Sequence, residues 1–145
     1  MIYEKIKHTD LLSLQQFSNV YGFPENGALL RMFRDVNGGA PIGFFVGYYG
    51  EKSVFQIVQV EQLLLFDVGG MDELSASAII ETFYWEGSGI IPVAVCENGE
   101  YICYCGKAQE NVMQVFDPET EEFHTLYTEE QDVYSADLFF DELKP

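Results

Sequence analysis

Hydrophobic positions recur along this chain at helical spacing first and at strand spacing afterwards. Leu14, Phe17 and Tyr21 stand at i, i+3 and i+7, one face of a helix with 3.6 residues per turn. Thr9 or Asp10 can cap its first turn and Gly22 can end it, because a side-chain oxygen accepts the free amides of a helix start and glycine tolerates the conformation that closes one. After Pro24, which suits a first turn where its missing N–H is not needed, Leu29, Met32, Phe33 and Val36 repeat the stripe. Asn37-Gly38-Gly39 then offers the left-handed residues of a C-cap.

The pattern next changes period. Ile42 to Tyr49 and Val54 to Val60 are rich in aromatic and β-branched residues, which fit a pleated surface. Gly50-Glu51-Lys52-Ser53 between them reads as a hairpin loop. Residues 61–71 follow neither period. Asp72 to Phe83 fits a helix capped by Asp72, although Ile79 to Trp85 also fits a strand. Ile90 to Cys96 and Tyr101 to Cys105 flank Asn98-Gly99, a pair that accepts the positive φ angles of a type I′ hairpin turn. With those two as the turn, Cys96 faces Tyr101 and shares a side of the sheet with Cys103 and Cys105, leaving Val95 and Ile102 on the other. Val112 to Phe116 and Glu122 to Tyr127 form a further hairpin around Asp117-Pro118-Glu119-Thr120, and a last helix starts near Ser135 with Ala136, Phe139, Phe140 and Leu143 at i, i+3, i+4 and i+7. Helices segregated from antiparallel hairpins predict an α+β fold, a single antiparallel-rich sheet flanked by helices.

Composition narrows the class. The 145 residues suit one domain spanning 1–145, and 48% hydrophobic content is incompatible with intrinsic disorder. No apolar run approaches the ~18 residues of a membrane span. Met1-Ile2-Tyr3-Glu4-Lys5 lacks the basic-then-apolar layout of a secretory signal, so a cytoplasmic location is expected. Charge is lopsided. Residues 1–60 hold five bases and five acids, whereas residues 61–145 hold nineteen acids against Lys107 and Lys144 and so carry the whole net charge of −17. Such a surface repels nucleic acid and anionic membranes and attracts a basic protein.

Candidate chemistry is sparse. His8 and His124 lie far apart and without a motif, and Cys96, Cys103 and Cys105 lack the spacing and the partner histidines of a zinc site. Reduced, partly buried thiols are the expected state. No serine stands in a Gly-x-Ser-x-Gly elbow, and Gly69-Gly70 and Gly87-Ser88-Gly89 lack the Lys-Ser/Thr of a phosphate loop. The expectation is a protein without catalytic residues, metal or cofactor.

Four pieces, in order, carry a family resemblance: Phe23-Pro24-Glu25 with Phe33 and Asn37-Gly38-Gly39; Ile91-Pro92-Val93-Ala94 with Asn98-Gly99-Glu100 and Tyr101-Ile102-Cys103; Val115-Phe116-Asp117-Pro118; and Ser135-Ala136-Asp137-Leu138-Phe139-Phe140 through Leu143. Together they resemble the SMI1/KNR4 (SUKH) superfamily. Gly27 stands where that family often has Tyr, and residues 61–89 have no counterpart in its pattern. The resemblance implies an α+β fold and, for the bacterial type, an immunity protein that binds and neutralises a polymorphic or contact-dependent toxin, frequently a nuclease. The alternative is a non-catalytic regulatory or scaffold module with a non-toxin partner, as in fungal relatives. For a basic partner, the candidate contacts are Glu97 and Glu100 on one turn, Glu119, Glu121 and Glu122 on another, and Glu129, Glu130 and Asp132 beyond.

Overall fold

The hairpins join into one meander. In the computed structural model, whose described residues are 1–5, 11–21, 34–66, 73–105 and 112–145, six strands follow one another: β1 Phe45–Tyr49, β2 Phe55–Leu63, β3 Ile90–Cys96, β4 Tyr101–Cys105, β5 Met113–Asp117 and β6 Glu122–Thr125. Their spatial order is their chain order, and every neighbouring pair is antiparallel. Helices α1 (Leu11–Tyr21), α2 (Ala76–Thr82) and α3 (Ala136–Glu142) stand outside the meander. The fold class is α+β, as the segregation of helical and strand periods predicts.

The sheet curls. Beyond β6 the chain returns to β1, where the Gly47 N–H donates to Tyr127 O at 2.8 Å and the Tyr127 N–H donates to Gly47 O at 2.7 Å. The segment just past the last strand is thus bridged to the first, and the curled sheet has an inner and an outer face. Val46, Val58, Val60, Ala94, Ile102 and Val115 point inward and are buried. At one end α3 closes this interior: Phe139 packs edge-on against Phe44 at 5.8 Å and Phe140 against Tyr104 at 6.1 Å. The whole predicted stripe of α3, Ala136, Phe139, Phe140 and Leu143, is buried. Ser135 caps the helix by accepting the Leu138 N–H at 3.1 Å, which satisfies one of the free amides of the first turn. On the outer face, Phe83 and Trp85, just past α2, lie on Phe116, Tyr101 and Phe123 with ring centroids 4.9–6.2 Å apart.

Several local expectations are corrected or completed. The 72–83 segment is helical over Ala76–Thr82 with Ser75 at its N-cap position, and Ile79 to Trp85 is not a strand; Ala76, Ile79 and Ile80 are buried at the helical i, i+3, i+4 spacing. The strand expected from Ile42 begins only at Phe45, because Gly43 (φ +67°) turns the chain first. Strand β2 continues through a bulge at Val60/Gln62 into residues 61–63 of the unsettled segment. Residues 34–36 are helical; Gly38 follows with φ +72°, and a Cβ there would approach Leu65 Cδ2 to 2.6 Å. The expected positions Thr9, Asp10, Gly22, Pro24, Leu29, Met32, Phe33 and Asp72 lie outside the described residues.

The β3–β4 register differs from expectation by one residue. Gly99 takes positive φ (+92°) and Asn98 does not. The Gly99 N–H donates to Cys96 O at 3.0 Å and the Cys96 N–H donates to Glu100 O at 2.8 Å. This is a three-residue loop, a type I turn closed by a glycine bulge, not a two-residue type I′ turn. Val95 therefore lies opposite Tyr101, and Cys96 lies opposite Glu100. One residue of slip changes which side chains share a face.

Candidate functional site

The register correction decides the fate of one candidate. Cys96 pairs with Val60 on the inner face, so Glu100 opposite it also turns inward. It is 8% exposed, and its Oε1 accepts the Tyr48 hydroxyl at 3.5 Å, while Oε2 is buried without a hydrogen-bond partner. Glu100 is thus withdrawn from the surface on which the turn's carboxylates were expected. Burial, then Glu100 and Asp117, push the Tyr48 phenol up to about 12, because an ionised oxygen there would lose water and face two carboxylates. Tyr48 in turn stacks on His124 at 5.6 Å.

The other seven acids are exposed but do not form one patch. Glu97 lies beside β2, donating its N–H to Gln59 O at 3.0 Å and accepting the Gln59 N–H on Oε1 at 3.2 Å. With Glu4 and Glu61 it lines a cleft of about 390 Å³. Glu119 and Glu121 sit on the β5–β6 turn and Glu122 opens β6 opposite Asp117; Asp117 shapes the turn, its Oδ1 accepting the Glu119 N–H at 2.9 Å and its carbonyl accepting the Glu121 N–H at 2.8 Å. Glu119, Asp117 and His124 line a larger cleft of about 520 Å³ together with Glu51 and Lys52 of the β1–β2 loop. Glu129, Glu130 and Asp132 belong to the segment after β6, tied by the Thr128 N–H to Asp132 O at 2.7 Å. Glu129 and Glu130 line a third cleft with Glu142 and Phe45.

Among the described residues the ion pairs are Arg34–Asp35, Lys144–Asp141 and His124–Glu122. Glu97, Glu119, Glu121, Glu129, Glu130 and Asp132 appear in none of them. Among the described residues there is also no group of three or more His, Cys, Asp or Glu that could hold a metal ion, and no helix long and apolar enough to cross a membrane. Burial pushes the thiols of Cys96 and Cys103 upward, with Glu100 adding to the effect at Cys96. Both remain neutral and pack as small apolar side chains.

The hydrophobic pattern concealed a second surface. On the outer face of β1 and β2, Phe45, Tyr49 and Ile57 are 38%, 37% and 52% exposed. They share that face with Gly47 and Phe55 through the pairs Gly47↔Ile57 and Tyr49↔Phe55. The available signal was the lack of alternation: a strand with one wet face should show polar residues at every second position, and Phe45 and Tyr49 break that rule. Comparison with known proteins adds no relative, since no family model, curated protein or solved structure matches this chain.

Proposed function

We propose that this chain is a non-catalytic protein-binding domain of the SMI1/KNR4 type, acting as an immunity protein that neutralises a toxin domain with a basic surface. The observation that carries the reading is the exposure of carboxylates from three separate segments, 97, 119–122 and 129–132, with no lysine or arginine paired to them among the described residues. Unpaired surface charge of one sign is a cost to the fold through self-repulsion, and a partner of opposite sign relieves it. A nuclease toxin must carry cations for its phosphates, so a carboxylate-rich surface can compete for that cleft. Single exposed pairs contribute only about 0–1 kcal/mol. The summed field instead raises association rates by about 10 to 10³, and apolar contacts must supply the lasting grip.

The test is co-expression with a toxin domain, taken from a neighbouring gene where one encodes it. Restored growth, and an association rate that falls steeply as salt rises, are the expected results. A chain that binds a basic protein yet protects no toxin-producing cell would instead be a regulatory or scaffold module. Association indifferent to salt would remove the electrostatic reading altogether.

A further inference from the structure

The outer face of the sheet is finished over one half and bare over the other. Over β4–β6, Phe83 and Trp85 cover Phe116 and Phe123. Over β1–β2, Phe45, Tyr49 and Ile57 meet water. The rings of this bare half are nonetheless held in place. The tip of the Phe55 ring reaches Gly47, where a Cβ would overlap it. Tyr49 packs against Phe55 at 5.0 Å and against Tyr127 at 5.3 Å, and its hydroxyl donates to Gln131 Oε1 at 2.9 Å. Side chains already ordered lose little entropy when a partner docks, and clustered exposed aromatics rimmed by polar groups mark interaction surfaces.

The rim is acidic. Glu129 and Glu130 share a cleft with Phe45, and Gln131, which holds Tyr49, stands between Glu130 and Asp132. We infer that this strip is the docking core for the basic partner, with Phe45, Tyr49 and Ile57 entering the partner's apolar surface and Glu129, Glu130 and Asp132 meeting its flanking lysines or arginines. The inference rests on the basic-partner reading and narrows it to one of the acidic regions. Charge selects the occupant. A second copy would bring another net charge of −17 to the same strip, and an anionic lipid surface would be repelled. A protein presenting apolar side chains between cations satisfies both the centre and the edge.

The probe is a synthetic peptide of alternating Lys and Leu, titrated into the isotopically labelled full chain at low salt beside a Lys/Ser and a Glu/Leu peptide. The Lys/Leu peptide is expected to shift the amides of Phe45, Gly47, Tyr49, Ile57 and Tyr127, and to bind about tenfold more tightly than Lys/Ser. The Glu/Leu peptide is expected not to bind. Ile57→Ser should weaken the Lys/Leu peptide severalfold, and saturation transfer from its leucine methyls to the unaltered chain locates the contact without any variant. Transfer centred on Glu119–Glu122, with Ile57→Ser binding normally, overturns the strip and leaves the basic-partner reading standing. Absence of binding by either cationic peptide overturns both. A dimer in sedimentation that Ile57→Ser dissolves would assign the strip to a second copy and overturn the inference.

Discussion

The two halves of the outer sheet face are built from similar residues and differ in what covers them. Phe116, on β5, is 2% exposed beneath Phe83 and Trp85, whereas Ile57, on β2, is 52% exposed. Both sit at positions where strand alternation points outward, so β propensity alone does not separate them. The difference is made by α2, whose trailing aromatics reach β4, β5 and β6 but not β1 and β2. The covered half is part of the core, and the bare half is available to another molecule.

The sharpest way to break this comparison is to truncate one residue in each half. Phe116→Ala should lower unfolding free energy by about 3–5 kcal/mol in a denaturant titration, the usual cost of an aromatic cavity. Gly47→Ala comes next. Its new methyl would collide with Phe55, so a loss of about 1–3 kcal/mol is expected, accompanied by displaced Tyr49 and Phe55 ring signals in NMR spectra. Combining it with Phe55→Ala should recover part of that loss, because the collision is then gone. Ile57→Ser, in contrast, should change stability by no more than about 0.5 kcal/mol. A loss comparable with Phe116→Ala would mean that the β1–β2 face is core after all. The smallest effect is expected from Glu129→Gln with Glu130→Gln, which should leave the denaturation midpoint unchanged and slow association with a basic partner at low salt. Equal rates at low and high salt would separate these acids from recognition.

Legibility in the sequence followed the range of the interactions involved. The α3 stripe, its start near Ser135, the 50–53 turn and the turn expected at 117–120, which lies one residue later at 118–121, were readable because each depends on residues within about one turn or one loop of each other. The β3–β4 register was not. Asn98-Gly99 serves both a two-residue turn and a three-residue loop with a glycine bulge, and the choice is expressed in the pairing of Cys96 with Val60 and of Glu97 with Gln59. Those partners lie more than thirty residues earlier in the chain. The same choice moved Glu100 inside. Of the eight acids read as contacts, the seven others are at the surface, as ionised side chains without buried partners must be. Their separation into three segments of the surface depends on how the sheet curls, which no local pattern encodes.

The residue pattern by itself determined the α+β class, the hairpins, and the confinement of net charge to residues 61–145, since these follow from periodicity, turn chemistry and simple counting. Tertiary structure alone decided which apolar strand residues are core. An apolar position in a strand has two faces to choose from, and burial is conferred by whatever packs over it from elsewhere in the chain. Phe116 acquired such a cover from the segment after α2; Phe45 and Ile57 remained exposed.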